Sequence, residues 1–124
     1  MKYNGKTYKV TKIASNAFNG SKAQTITLGK NITVIEPGAF NNCSKLTTLV
    51  IDSPIKKLDA GTIKKCKKLK VVKIKSKKLS SVDKKAFSGC KVKNLKVYVN
   101  KKVFKKISPK LVMAGVKKSN IMKL

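Results

Sequence analysis

Large apolar residues recur along this chain at near-constant intervals that are too long for one helix or one strand. Aligned on a small residue followed by a large apolar one, four pairs stand out: Ala17-Phe18, Ala39-Phe40, Thr62-Ile63 and Ala86-Phe87. The steps between the large residues are 22, 23 and 24. Five residues before each comes Ile13, Ile35, Leu58 or Val82, and three earlier again Val10, Ile32, Ile55 or Leu79. Three residues after each comes Ser21, Cys43, Cys66 or Cys90. Beyond that position the apolar residues are spaced three then two, as Leu46, Leu49, Ile51 in repeat two and Leu69, Val72, Ile74 in repeat three. Repeats one and four are a residue shorter there, with Ala23, Ile26, Leu28 and Val92, Leu95, Val97. Self-similarity at this period marks a solenoid, in which a unit buries its apolar face only against its neighbours.

The alternating segment after the cysteine position predicts a β-strand with every second side chain inward. Ile26/Leu28, Leu49/Ile51, Val72/Ile74 and Leu95/Val97 then stack from coil to coil. With neighbouring strands about 4.8 Å apart, the four rungs form one parallel sheet. The Ala-Phe segment reads as a short turn or 3-10 stretch, with Phe18, Phe40, Ile63 and Phe87 filling the opposite end of the core. Asn4-Gly5 favours a type I′ turn, so residues 2–10 are expected to form a hairpin over the first coil's open edge. Val103, Phe104, Ile107, Leu111 and Met113 predict a helical cap interrupted near Pro109, and residues 116–123 a returning strand. The expected fold is a β-rich solenoid, a right-handed leucine-rich-repeat coil with one parallel sheet and short 3-10 turns. Its expected division is a single domain over 1–124, with a hairpin cap at 1–9, four repeats over 10–99 and a C-terminal cap at 100–124.

The pattern apolar-x-x-Ile-x-x-x-Ala-Phe-x-x-Cys-x-x-Leu-x-x-Leu-x-Ile, clearest from Ile32 to Ile51, resembles the BspA-type leucine-rich repeats of bacterial surface proteins. The likeness covers roughly residues 10–99, and the opening Tyr3 to Val10 resembles the lead-in hairpin of such domains. Ser21 stands where the other copies have cysteine, and Thr62-Ile63 where they have Ala-Phe, without disturbing the apolar logic. The resemblance implies a secreted or cell-surface protein that contacts host or neighbouring cells, hence an extracellular or bacterial surface location.

Charge changes the picture most. The 124 residues carry 31 basic side chains, all lysine, against 4 acids, a formal net charge of +27. The load is lopsided: residues 1–55 hold 7 lysines and 2 acids, residues 56–124 hold 24 lysines and 2 acids. Such a field attracts polyanions and repels copies of itself. Lysine is a hydrated point charge, whereas arginine supplies the planar fork that pairs with guanine edges, so specific reading of DNA bases is disfavoured. Nonspecific attachment to nucleic acid stays open. No uncharged run is long enough to cross a bilayer. The start lacks the apolar centre of a signal peptide, so an exported parent would make this stretch a mature piece or an excised domain.

Three columns of residues bear on chemistry. Cys43, Cys66 and Cys90 share one repeat position, at a spacing that makes neither a metal knuckle nor a disulfide framework, and read as small buried residues in a ladder. Adjacent coils could bring two of them within disulfide range, but nothing in the sequence selects a pair. Glu36, Asp59 and Asp83 each follow an inward apolar residue. As a column they could hold a cation; as individuals they would cap the turn that follows, which explains why the position precedes the turn in each copy. The outward sheet columns read Thr25, Thr48, Val71, Asn94; then Thr27, Val50, Lys73, Lys96; then Gly29, Asp52, Lys75, Tyr98. Lys73, Lys75 and Lys96 beside Tyr98 are the candidate ligand-binding residues, since cations with an aromatic at rung spacing suit an anionic, sugar-bearing polymer. A second cluster, Lys64, Lys65, Lys67 and Lys68, brackets Cys66. Lysines spread over all faces would equally serve to keep a β-rich solenoid soluble.

With no histidine, no phosphate loop and no nucleophile–base set, the sequence offers no catalytic residues, and it implies no metal and no cofactor. The reading is a non-catalytic recognition or adhesion module whose partner is a protein or an anionic glycan or wall polymer. The alternatives are a charge-driven nonspecific nucleic-acid binder and a structural repeat block of a larger surface protein.

Overall fold

The computed structural model describes residues 2–3, 6–7 and 11–124, with side chains described from Thr11 onward. Two short strands, β1 (Lys2–Tyr3) and β2 (Lys6–Thr7), pair antiparallel, Lys2 opposite Thr7 and Tyr3 opposite Lys6. The expected Asn4-Gly5 turn and Val10 lie outside the described residues.

The rest winds as stacked coils. Along the chain run β3 (Lys12–Ile13), β4 (Thr25–Leu28), β5 (Val34–Ile35), β6 (Phe40–Asn41), β7 (Thr48–Ile51), β8 (Lys57–Leu58), β9 (Ile63–Lys64), β10 (Val71–Ile74), β11 (Ser81–Val82) and β12 (Lys96–Val99). Helix α1 (Lys101–Met113) and β13 (Ile121–Lys123) follow. One parallel sheet has the order β13-β12-β10-β7-β4. Each of its four-residue strands alternates, with Ile26, Leu28, Leu49, Ile51, Val72, Ile74, Val97 and Val99 buried. This is the period-two signature of a sheet with one face on the core. The single expected sheet is accompanied by three two-stranded parallel ones, β3-β5, β8-β11 and β6-β9, so the coils are hydrogen-bonded on more than one side.

The register agrees with the expected one through the first three rungs, Ile26 on Leu49 on Val72. It departs at the fourth, where Val72 faces Val97 and Ile74 faces Val99, two residues beyond the expected Leu95 and Val97. The cause is local. A 3-10 turn over Val92–Asn94 takes up extra chain after Cys90, and Leu95 closes it by donating its amide to Val92 O (3.1 Å). A 3-10 stretch is therefore here, whereas Phe18 and Phe87 lie in turns and Phe40 and Ile63 begin the short strands β6 and β9. In them Phe18 N donates to Ala39 O, Phe40 N to Thr62 O and Ile63 N to Ala86 O, each reaching the next coil at 2.9–3.1 Å. Amides that bond across coils are not free for the local bonds of a 3-10 helix.

Two residues beyond each of these large side chains the backbone turns left-handed, at Gly20 (φ 71°), Asn42 (57°), Lys65 (56°) and Gly89 (77°). Glycine and asparagine suit that conformation and lysine does not. Thr62, at the alanine position, is fully buried and satisfies its hydroxyl on Asp59 O (2.8 Å).

Helix α1 starts at Asn100, whose side chain accepts from Lys102 N (2.9 Å), and buries Val103, Ile107 and Leu111 against β11 and β13. It runs through Pro109 rather than stopping there. Proline removes only the bond to the carbonyl four back, that of exposed Lys105, and Ser108 Oγ donates to Phe104 O (2.6 Å) in the adjacent turn. Met113 is 73% exposed, contrary to its expected core role, because two residues on from Leu111 lie on the opposite side of a helix. The helix ends in a Schellman turn: Val116 N donates to Leu111 O and Gly115 N to Val112 O, both at 3.0 Å, with Gly115 at φ 100°. The following chain then returns as β13, parallel to β12, where residues 116–123 were expected to form a strand.

Candidate functional site

The cysteine column is a ladder of thiol bonds. Cys43 Sγ donates to Phe18 O (3.1 Å), Cys66 Sγ to Phe40 O (3.1 Å) and Cys90 Sγ to Ile63 O (3.4 Å), so each thiol meets the carbonyl of the preceding coil's large residue. All three are free; Cys43 and Cys66 are fully buried and Cys90 half-buried. Burial, aided by the neighbouring Cys66, pushes the Cys43 thiol up to about 11. The neighbouring Cys90 thiol, with burial, holds Cys66 protonated above the ordinary thiol range. The Cys66 thiol beside it draws Cys90 below that range, and Cys90 Sγ accepts from Cys66 N (3.4 Å). The column is packing with hydrogen bonds, and Cys90 is its one thiol that is not fully buried.

The acids act singly. Asp83 Oδ1 accepts from Lys85 N (2.8 Å), capping its own turn as expected. Glu36 reaches back instead, accepting from Ser15 N (3.2 Å) in the preceding coil and pairing with Lys12 (3.5 Å). Asp59 pairs with Lys57 (3.6 Å). Among the described residues no three His, Cys, Asp or Glu side chains gather to hold a metal.

The outward face of coils three and four carries the candidate ligand-binding residues. Lys73 of β10 lies directly opposite Tyr98 of β12, its Nζ 5.7 Å from the ring centroid. Lys96 opens β12 opposite Val71, and Lys75 follows β10. The sequence had placed Lys73 beside Lys96 and Lys75 beside Tyr98, a slip of two residues that leaves all four on one face. Met122 of β13 flanks Tyr98 on its other side. Lys75 and Lys96 are exposed, Lys73 and Tyr98 half-buried, and neither β10 nor β12 contains an acid.

Outward residues two apart on a strand are about 6.6 Å apart and adjacent rungs about 4.8 Å. Both are shorter than the screening length of about 8 Å at 0.15 M salt, so these lysines act on a ligand as one field. Beyond the sheet's end Lys75 borders a cleft of about 300 Å³ with Lys30, Lys77, Lys78, Asp52 and Pro54. The second lysine cluster, Lys64, Lys65, Lys67 and Lys68, is exposed along the turn edge.

Sequence reasoning missed two serines. Ser53 and Ser76 continue the inward alternation beyond Ile51 and Ile74 but are polar; buried, they donate to Gly29 O and Ile55 O (both 2.7 Å). The alternation itself, carried two residues further, was the signal for their burial.

The described residues contain no helix long and apolar enough to cross a membrane. No curated protein and no solved structure matches the chain. The family model described as BspA type Leucine rich repeat region (6 copies) matches residues 6–109, most of the sequence and all of the sheet rungs β4, β7, β10 and β12. With its coil-to-coil ladders and its match over that length, the chain belongs to the BspA-type leucine-rich repeat family.

Proposed function

We propose that this chain is a non-catalytic recognition module of a secreted or surface protein, which meets an anionic polymer through the outward face of coils three and four. Its repeat class is one of interaction modules. The observation that carries the reading is the pairing of Lys73 with Tyr98 across adjacent strands, with Lys75 and Lys96 beside them and no acid on either strand. A cation–aromatic pair can grip a sugar ring through the aromatic and its anionic substituents through the ammonium groups. An anionic glycan or wall polymer fits this better than nucleic acid, because the chain has no arginine and only seven aromatic residues. The reading includes a right-handed coil closed at its ends by the β1–β2 hairpin and by α1, with a single domain over the whole chain. It places the module outside the cell or at a bacterial surface, where the family's repeats occur.

The test is retention on immobilised heparin, teichoic acid and mucin at physiological salt. The wild type is expected to be retained on at least one, and a Lys73/Lys75/Lys96→Gln variant to elute early. No retention on any of them, with the variant behaving as wild type, refutes the reading.

A further inference from the structure

The 3-10 turn that displaces the fourth rung also forms one wall of a space. Between the loop preceding β10 and the turn preceding β12 lies a cleft of about 570 Å³, within the size range of small-molecule sites. Five lysines line it, Lys67, Lys68 and Lys70 from coil three and Lys91 and Lys93 from coil four, over Leu69 and Val92 and with no acid among the lining residues. The corresponding loop of coil two carries Ser44, Lys45 and Thr47, so the concentration is local to this junction.

The cleft is held from behind. Asn120 Nδ2 donates to Lys93 O (3.4 Å), and the Cα of Gly115 lies so close to Val92 that a Cβ there would stand 2.9 Å from Val92 Cγ2. The C-terminal tail thereby packs behind the 3-10 turn that lines the space. The cleft is joined to the sheet face, since Lys96 N donates to Lys70 O (2.9 Å).

We propose that this cleft is a subsite for one tetrahedral oxyanion, a sulfate ester or a phosphodiester, of the same anionic glycan or wall polymer that crosses the sheet face. This rests on the anionic-polymer reading and adds to it a second contact. Lysine ammoniums are point charges that match a tetrahedral oxyanion from several directions, without the planar match a carboxylate finds in arginine. An aliphatic floor of Leu69 and Val92 suits the apolar face of a sugar ring and offers no aromatic on which a nucleobase could stack.

The test titrates the full chain with three probes: a heparin tetrasaccharide, a glycerol-phosphate hexamer and an oligothymidylate. Three variants are compared with wild type: Lys67/Lys68/Lys91/Lys93→Gln in the cleft, Lys73/Lys75/Lys96→Gln on the face, and Lys101/Lys102/Lys105/Lys106→Gln on α1 as a charge-matched control. All the lysines replaced are at least partly exposed. The cleft variant is expected to lose more than tenfold in affinity for whichever of the tetrasaccharide and the hexamer binds, with the control losing less than threefold; the ratio of those two affinities names the source. In the wild type, bound tetrasaccharide or hexamer is expected to shift the methyl resonances of Leu69 and Val92. A loss in the cleft variant no greater than in the control, unmoved Leu69 and Val92 methyls, or tighter binding of oligothymidylate than of both others overturns the proposal. If the cleft variant binds normally while the face variant does not, the subsite fails and the anionic-polymer reading stands. If both variants bind normally, both fail.

Discussion

Gly115→Ala probes the junction of the C-terminal tail with the fourth coil. Gly115 sits at φ 100°, a region costly for an L side chain by about 1–2 kcal/mol. Its new Cβ would lie 2.9 Å from Val92 Cγ2, and a β-branched, half-buried valine is restricted at χ1. Overpacking of that kind adds roughly 1–2 kcal/mol. The alanine restricts the unfolded chain and returns about 0.4–1 kcal/mol. The net expectation is a loss of about 2 kcal/mol. For a chain between the small and medium size classes, each kcal/mol moves the midpoint by about 3–5 °C, so Tm should fall by about 6–10 °C. Urea melts of wild type, Gly115→Ala, Val92→Ala and the double variant separate the two causes. Removing Val92 Cγ2 removes the clash and leaves the backbone strain, so the double variant should be about 1 kcal/mol more stable than the summed single losses predict. A Gly115→Ala protein within 0.5 kcal/mol of wild type, or strictly additive losses (roughly within 0.3 kcal/mol), would refute the close tail contact.

Lys65→Gly should raise stability by about 0.5–1 kcal/mol in urea melts, because Lys65 holds a left-handed position where two of the four coils use glycine; a loss of stability contradicts the column. In native protein at pH 8, a thiol reagent should label Cys90 first and Cys43 and Cys66 only on unfolding, which peptide mapping reads out; simultaneous labelling of all three refutes the ladder. Cys43 binds its proton more tightly folded (about 11) than unfolded (9.0), so its contribution is complete below about pH 9 and is lost as pH rises towards 11. The stability difference between wild type and Cys43→Ala should therefore shrink over that interval, and a constant difference contradicts the burial argument. Self-repulsion at +27 should make Tm rise as salt is added from low concentration to about 0.15 M; a flat or falling Tm refutes it.

Most of this architecture was legible because a solenoid repeats its instructions. The inward residues of three rungs, from Ile26 to Ile74, followed from alternation alone. The fourth slipped because Cys90 stands seven residues before Val97, whereas Cys43 and Cys66 stand six before Leu49 and Val72. Nothing in the residue types Val92-Lys93-Asn94 declares that the extra chain is wound into a 3-10 turn. A slip of two preserves which face a side chain takes, and a slip of one would have reversed it. That is why Lys73, Lys75, Lys96 and Tyr98 share a surface although their pairing was misread. The cleft between Lys67 and Lys93 was illegible for the same reason, since the 3-10 turn forms one of its walls. Pro109 misled because proline's effect on a helix depends on what the freed carbonyl meets, and here Lys105 faces outward.

Mapping backbone amide shifts over the whole chain, as a heparin oligosaccharide is added at 0.15 M salt, tests the central claim most directly. Recognition by coils three and four predicts shifts concentrated at residues 67–75 and 91–98, with Lys12 and Lys22 of the first coil unchanged. Equal shifts at lysines on every face, or none at Lys73 and Tyr98, would contradict it.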